Sequence, residues 1–222
     1  MTKSKYTNEE ITELIKNLFS NNEVMFIYYC GSRAYGTTQA NSDTDITVVI
    51  YNMQGITHAS KEGLDIFAYG IDNFLQRQSI SDELPLYNLI HADDVIAAKD
   101  NLIYLNPKHK TKFDEILELD FIKILPLYLE AFLSYYENLI FKERVVVKRS
   151  YHIYRMKGIL DNLLKTKKYS VKLSKEYLDK IIKYKSTWEN TNNENVLNEL
   201  GEVLKSIRAI KQEHYMSVEN EV

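Results

Sequence analysis

The sequence predicts an α+β protein in which a small mixed β-sheet with flanking helices is followed by a helical C-terminal half. Three short runs of apolar and β-branched residues occur early in the chain, at residues 24–30, 45–51 and 64–69. From about residue 112 onward, apolar residues instead recur every three or four positions. The first pattern is typical of strands and the second of amphipathic helices. The change of pattern predicts two domains, at residues 1–108 and 109–222.

The first half is expected to begin with a helix and continue with strands joined by polar loops. Thr7 and Glu10 have the spacing of a capping box and precede apolar residues at helical period, which predicts an N-terminal helix to about residue 20. Residues 24–30 are too short and too continuously apolar for a surface helix, so we expect a buried strand. Residues 45–51 and 64–69 are predicted to form two further strands with a polar loop between them.

The rest of the chain is predicted to be mainly helical. Gly70 ends the third strand, and Asp72 is placed to cap a short helix that follows it. A longer helical stretch, broken at Pro126, follows residue 112. Further helices are predicted at about 142–168, 174–188 and 193–214.

The composition narrows the functional classes. The chain has 222 residues and a net charge of −3, so contact with nucleic acid would have to come from a local basic patch. Its single cysteine cannot form an intramolecular disulfide, which fits a reducing compartment. The polar N-terminus lacks the apolar core of a signal peptide, and no apolar run approaches the roughly 20 residues of a membrane span. We therefore expect a soluble cytoplasmic protein that does not insert into a membrane.

The segment GSRAYGTTQANSDTD, at residues 31–45, contains the main candidate for a functional site. Asp43 and Asp45 are two positions apart at the start of the second predicted strand, so their side chains are expected to project to the same face. Two carboxylates side by side raise each other's pKa and resist joint ionisation. A hard divalent cation removes this conflict, and Mg²⁺ commonly uses one or two carboxylates together with substrate phosphates. We therefore predict a magnesium site here.

A third carboxylate, Asp65, lies among apolar neighbours in the next predicted strand. If the two strands are adjacent, Asp43, Asp45 and Asp65 converge on two Mg²⁺ ions about 3.5–4 Å apart, as in two-metal phosphoryl transfer. One ion would activate an attacking hydroxyl, and the other would hold the phosphates and the leaving pyrophosphate. The alternative is a solvated turn, since Asp and Ser are common turn residues.

The turn before the acids is predicted to bind a nucleoside triphosphate. Gly31 allows close approach of the backbone to a ligand, and Ser32 offers a hydroxyl and an amide. If a helical turn starts after Gly31, its backbone N–H groups would point at the phosphates. Arg33 has a planar guanidinium that suits phosphate oxygens.

The helical half contains one clearly basic region, at residues 142–168. Lys148, His152 and Arg155 are spaced four and three positions apart, so they share one face of a helix. This face could hold a triphosphate tail or the backbone of a nucleic-acid acceptor. A solvated helix face is the alternative, because charge runs usually have that role.

The strings GSRAYG and NSDTD resemble the signature of the nucleotidyltransferase superfamily that includes DNA polymerase beta, in which a Gly-Ser turn precedes Asp-x-Asp. With KRSYHIYRM at residues 148–156 and EYLDKIIKYK at 176–185, they are similar to the RlaP-like family of predicted RNA-repair-pathway nucleotidyltransferases. The resemblance implies a polymerase beta-like core. It also implies metal binding by Asp43, Asp45 and Asp65 and triphosphate contacts at Gly31 and Ser32.

The activity implied by this resemblance is transfer of a nucleoside monophosphate from a nucleoside triphosphate to a hydroxyl, with an RNA end as the favoured acceptor. A protein hydroxyl and a small molecule such as an aminoglycoside are alternative acceptors. A non-catalytic nucleotide-binding module and a magnesium-dependent phosphohydrolase are alternative functions. Thr44, Ile46 and Thr47 depart from the residues that relatives place around the acids, which leaves base and acceptor preference open. The sequence does not indicate how many subunits assemble.

Overall fold

The computed structural model describes residues 6–40, 42–61, 63–78, 96–118, 147–166, 170–187 and 193–219, together with residues 125, 129, 132 and 133. The chain forms two compact units. The first contains Met1–Ser79 and Ile90–Leu119, and the second contains Ile80–Leu89 and Asp120–Val222. The domain division at residues 1–108 and 109–222 stays a prediction.

The first unit is built on a five-stranded mixed sheet, as the predicted α+β class requires. The strands are β1 (Val24–Tyr29), β2 (Thr44–Ile50), β3 (Ile56–Lys61), β4 (Leu64–Gly70) and β5 (Leu102–Leu105). Their order across the sheet is β3-β4-β2-β1-β5. Strands β2 and β4 run parallel, and the other neighbouring pairs are antiparallel. The three strands predicted from apolar runs are the three central ones.

The helices of this unit include α1 (Asn8–Leu18), the single turn α2 (Gly31–Ala34), α3 (Ile71–Gln78) and α4 (Lys110–Leu117). The predicted capping box of α1 is confirmed, because the Glu10 N–H donates to Thr7 Oγ1 and the Thr7 N–H donates to the Glu10 carboxylate. Helix α3 begins at Ile71, before the expected cap, so Asp72 lies in its first turn instead of capping it. A carboxylate there still faces the positive end of the helix dipole.

Apolar side chains cover both faces of the sheet because successive residues of a strand point to opposite sides. On one face, Ile11 and Ile15 of α1 pack with Ile27, Ile46 and Ile66. The other face carries Phe26, Val49 and Tyr69, against which Phe74 of α3 and Phe113 of α4 pack. Double-sided burial explains why the central strands have nearly continuous apolar sequences.

Two strands were not predicted from the sequence, and both lie at sheet edges. Strand β3 falls in what was expected to be a polar loop, and most of its residues are exposed. It pairs along one side only, with β4. Strand β5 has four half-buried residues. Edge strands that bury little apolar surface do not need the alternation by which strands are recognised in a sequence.

The second unit contains the helices α5 (Val147–Thr166), α6 (Lys175–Thr187) and α7 (Asn193–Glu219). They correspond to the helices predicted at 142–168, 174–188 and 193–214; residues 142–146 and most of the stretch around Pro126 lie outside the described residues. Gly158 of α5 allows close packing, because an added Cβ would lie 2.9 Å from Leu173 and Tyr177 side-chain atoms. Among the described helices, none combines the length and apolar character needed to cross a membrane.

A polar cluster joins α5, α6 and α7. Glu199 of α7 accepts a hydrogen bond from the Tyr184 hydroxyl and pairs with Lys180, both on α6. The Tyr184 hydroxyl also lies 3.3 Å from the hydroxyl of Tyr154 on α5. Burial, with the Glu199 hydrogen bond, raises the pKa of Tyr184 to about 12. Burial by itself would raise the pKa of Glu199, but hydrogen bonds from Lys180 and Tyr184 outweigh it and hold that pKa below its usual value.

We expect Glu199→Gln to lower the melting temperature of the second unit at neutral pH. A carboxylate whose pKa is depressed by folding stabilises the fold above its ordinary pKa, and this stabilisation is lost as the pH falls through the depressed value. The difference between wild type and variant should therefore shrink in acid. Thermal unfolding followed by circular dichroism across this pH range measures it.

Glu202→Gln is the matched control, because Glu202 lies on the same helix and pairs with Lys205 while largely exposed. Exposed ion pairs contribute little to stability. A Glu199→Gln deficit that stayed constant from neutral to acid pH would contradict the assigned role of the carboxylate charge.

Candidate active site

Parallel pairing of β2 with β4 places two carboxylates side by side. Asp45 is the register partner of Asp65. Each acid is the second residue of its strand, so both lie at the same end of the sheet and project from the same face. Neighbouring strands are about 4.8 Å apart. Two half-buried acids therefore meet across the strand pair, which is the adjacency on which the predicted site depends.

Asp43 lies directly before β2 and is exposed. A tight turn leads into this position: the Gln39 N–H donates to Ser42 Oγ at 2.9 Å, and the Ser42 N–H donates back to the Gln39 carbonyl at 3.1 Å. Asp43 is thus at the same end of the sheet as the Asp45–Asp65 pair, on the chain segment that enters β2.

Gly31 is in direct contact with the Asp45 side chain. A Cβ added to Gly31 would overlap the Asp45 Oδ2 atom and lie 2.9 Å from its Cγ. Gly31 also has a φ of +58°, a conformation that residues with a Cβ rarely adopt. The chain enters this contact from β1, and the Cys30 N–H donates to the Asp45 carbonyl at 3.0 Å. The glycine is therefore required both by the turn and by the carboxylate.

The Gly-Ser turn is one short helical turn fixed by its own backbone. The Thr37 N–H donates to the Ser32 carbonyl at 2.9 Å, and the Gly36 N–H donates to the Arg33 carbonyl at 3.2 Å. Ser32 is half-buried. Gly31, the first residue of this turn, lies against the Asp45 side chain. Triphosphate contacts at Gly31 and Ser32 stay a prediction.

Arg33 lies on the other side of β2 from the two acids. Its Nε donates to Thr44 Oγ1 at 3.3 Å, and its guanidinium carbon is 5.7 Å from the centre of the Tyr29 ring. Thr44 precedes Asp45 in the strand, so the two side chains face opposite ways. Thr44, the residue between Asp43 and Asp45, thereby connects the turn to β2 through its hydroxyl group. A phosphate contact of Arg33 stays a prediction.

The carboxylate of Asp65 is held by two residues of β3 that sequence reasoning missed. Its Oδ1 atom lies 2.6 Å from His58 Nε2 and accepts a hydrogen bond of 2.9 Å from Ser60 Oγ. The ring of His58 stacks on Phe67, with centroids 4.6 Å apart. His58 and Ser60 are two positions apart in ITHASK, which was the available signal, but only the register to β4 shows that both meet Asp65.

The three candidate residues of the basic helix belong to the second unit. Lys148 is the second residue of α5, where only the backbone is described. His152 is half-buried, and its ring centroid lies 4.0 Å from that of Tyr151. Arg155 is only 1% exposed. Burial of Arg155 does not suit a solvated helix face, while its contact with phosphate or nucleotide stays a prediction.

The donor chemistry at the sheet end fits magnesium. In the described part of the chain, no group of three or more His, Cys, Asp or Glu side chains is arranged to hold a metal by itself. Mg²⁺ does not require such a cage, because it keeps several waters and is completed by substrate phosphates. Asp45 and Asp65 supply hard oxygen donors on one face, and Gly31 keeps the backbone close to Asp45. These residues suit an ion that binds together with a triphosphate.

No protein-family model matches the chain, and no curated protein sequence matches it. Among solved structures, it is similar to a spectinomycin adenyltransferase from Enterococcus faecialis with ATP and spectinomycin, at 17% identity and a TM-score of 0.49 over 90% of this chain and 100% of that chain. It is also similar to a nucleotidyltransferase-like protein from Exiguobacterium sibiricum, at 13% identity and a TM-score of 0.34 over 96% of this chain and 80% of that chain. Structural similarity at such low sequence identity does not show that the proteins share an activity or a ligand.

We expect Gly31→Ala to destabilise the protein more than an equivalent change at another glycine with positive φ. Gly55 is the matched control, because its φ is +81° and an added Cβ would have nothing within 4 Å. Gly55→Ala should cost about 1–2 kcal/mol for the left-handed backbone alone. Gly31→Ala adds overlap with the Asp45 carboxylate, worth a further 1–3 kcal/mol or so for overpacking. Urea unfolding of both variants measures the difference. Equal losses would show that the Asp45 contact is relaxed easily.

Proposed function

We propose that this chain is a metal-dependent nucleotidyltransferase that transfers a nucleoside monophosphate from a nucleoside triphosphate to a hydroxyl and releases pyrophosphate. The observation that carries the proposal is the Asp45–Asp65 pair, formed by neighbouring parallel strands directly beside Gly31. Paired carboxylates next to a close backbone turn are the parts that a magnesium–triphosphate site needs. The sequence resemblance to the nucleotidyltransferase signature supports the same assignment.

In this proposal, Asp43, Asp45 and Asp65 hold Mg²⁺, and Gly31 and Ser32 contact the triphosphate. Bound Mg²⁺ neutralises phosphate charge and lowers the pKa of the attacking hydroxyl. Asp45 is fixed through its packing on Gly31, so it holds its orientation before substrate arrives. The chain's contribution is thus to position reactants and to place charge, as in phosphoryl transfer generally.

The proposed reaction is an in-line displacement at the α-phosphorus. The acceptor hydroxyl oxygen forms a bond to this phosphorus, and its proton passes to the Asp65 carboxylate. The bond between the α-phosphorus and the oxygen that bridges to the β-phosphorus breaks, and pyrophosphate leaves with the electron pair. One phosphoanhydride bond is exchanged for one phosphoester bond, so no further co-reactant is needed.

An RNA end is the acceptor we favour, on the basis of the resemblance to the RNA-repair-pathway family. A protein hydroxyl and an aminoglycoside-like small molecule are the other acceptor classes. Lys148, His152 and Arg155 are proposed to contact the triphosphate or the acceptor, and Arg33 to contact phosphate. Binding through Lys148 and the surrounding basic residues would weaken as salt is added.

Two other functions make different use of the same residues. A non-catalytic nucleotide-binding module would bind triphosphate and magnesium without forming pyrophosphate. A magnesium-dependent phosphohydrolase would transfer the phosphoryl group to water and leave no labelled acceptor. Pyrophosphate release together with acceptor labelling separates both from a nucleotidyltransferase.

We expect label from an α-³²P nucleoside triphosphate to enter a macromolecule or a small hydroxyl compound when the protein is incubated with magnesium and cell extract. Each of the four nucleotides is supplied separately, and RNA, protein and small-molecule fractions are counted. Label in the RNA fraction supports the favoured acceptor, and label in another fraction assigns a different one. Label in no fraction, with triphosphate bound, would favour the binding module.

We expect Asp43→Asn, Asp45→Asn and Asp65→Asn each to lower transfer by about 100-fold or more, the loss typical of removing one group that stabilises transition-state charge. Each substitution removes a metal ligand while relieving repulsion, so the fold should persist. Asp72→Asn is the control, because Asp72 is an exposed acid of the same unit that follows the opposite end of β4 from Asp65. Transfer rates are measured beside melting temperatures. Near-full activity in Asp45→Asn would refute the metal assignment.

A further inference from the structure

We infer that His58 and Ser60 are positioning residues that fix the orientation of the Asp65 carboxylate for the metal and the attacking hydroxyl. This inference deepens the proposed function and rests on it. Both residues lie on the edge strand β3, at alternate positions of one face, and neither belongs to the sequence signature at residues 31–45.

The register of β3 against β4 brings the two side chains to Asp65. Ser60 is the direct partner of Asp65, and His58 is the partner of Phe67, two residues further along the same face of β4. Direct partners and diagonal neighbours on one face are within reach of each other's side chains. The resulting distances to Asp65 Oδ1 are 2.9 Å from Ser60 Oγ and 2.6 Å from His58 Nε2.

The direction of both hydrogen bonds follows from the chemistry of Asp65. An ionised carboxylate can only accept, so Ser60 donates its hydroxyl hydrogen and His58 donates from Nε2. Stacking of the His58 ring on Phe67, with an angle of 21° between the ring planes, fixes the direction of this donor. Two donors on one oxygen set the rotation of the whole carboxylate group. Both bonds meet Oδ1, so Oδ2 is the oxygen of Asp65 that would be available to the ion or to the proton of the hydroxyl.

The contacts of His58 and Ser60 with Asp65 are expected to contribute little to the stability of the fold. The His58 side chain is 52% exposed and that of Asp65 is 29% exposed. Exposed ion pairs typically stabilise a fold by very little. Partners that orient metal-binding carboxylates have larger effects on the site, and their removal typically lowers metal affinity or activity 10- to 100-fold. A large effect on the metal together with a small effect on melting is therefore the signature of a positioning role.

The test uses the full chain and Mn²⁺ as the probe, with free ion measured by electron paramagnetic resonance in the presence and absence of ATP. We expect the double substitution His58→Ala and Ser60→Ala to raise the Kd for Mn²⁺ about tenfold or more and to lower kcat while leaving KM for the triphosphate nearly unchanged. His58→Gln retains a donor near the Nε2 position, so it should recover most of the affinity lost in His58→Ala. Ser60→Ala alone is a milder variant that tests the second donor.

Two reference variants make the outcomes distinct. Thr57→Ala changes an exposed residue on the opposite face of β3 and should leave Mn²⁺ affinity and kcat unaltered. Asp65→Asn sets the loss expected when the carboxylate itself is removed. If Asp65→Asn leaves Mn²⁺ binding unchanged, the proposed metal site is wrong.

Three results would instead overturn the inference while leaving the site itself in place. In the first, Asp65→Asn weakens Mn²⁺ binding, but the double substitution changes the Kd for Mn²⁺ no more than Thr57→Ala does. The second is a melting temperature that falls in proportion to the loss of affinity, which indicates a structural role. In the third, His58→Gln loses as much affinity as His58→Ala, as a direct His58 ligand would require.

Discussion

The parallel pairing of β2 with β4 is the constraint on which the candidate site of the first unit depends. It holds the acids Asp45 and Asp65 together at the start of the two strands. Asp45 and Asp65 are register partners in the pairing that also carries the buried apolar residues of both sheet faces. The chain cannot separate the charges without breaking this pairing. Like charges directly opposite each other on neighbouring strands are destabilising. Hydrogen-bond donors offset this repulsion, and His58 and Ser60 supply the donors at Asp65.

The topology explains how one edge strand comes to serve the site. Parallel strands need a connection that returns the chain to the same end of the sheet. Here β3 is that connection: it follows β2, runs antiparallel to β4, and leads through Gly63, with a φ of +83°, into β4. Strand β4 therefore lies between β3 and β2. Strand β3 therefore has two roles. It returns the chain so that β4 can run parallel to β2, and it places His58 and Ser60 beside Asp65.

The parts that could be predicted from the sequence are those with a local signal. Strands buried on both faces have apolar sequences, and acids at the ends of such strands are unusual enough to be noticed. The donors to Asp65 could not be predicted, because β3 is exposed and its register alone brings His58 to the carboxylate. The same is true of Arg33, whose contact with Thr44 depends on the pairing of β1 with β2. Burial of Arg155 is likewise a tertiary property that helical spacing does not reveal.

Alternation along β2 limits how this sequence can change in length. Thr44 meets Arg33 on one face, and Asp45 packs on Gly31 on the other. A single-residue insertion or deletion in this strand would exchange the two faces and carry the carboxylate away from its partner. The connection between Ile50 and Ile56 lies outside the pairing of β2 with β4, so a change of its length does not exchange the faces of β2. Related sequences should therefore tolerate insertions and deletions in the loop after Ile50 better than at the start of β2, where Asp45 lies.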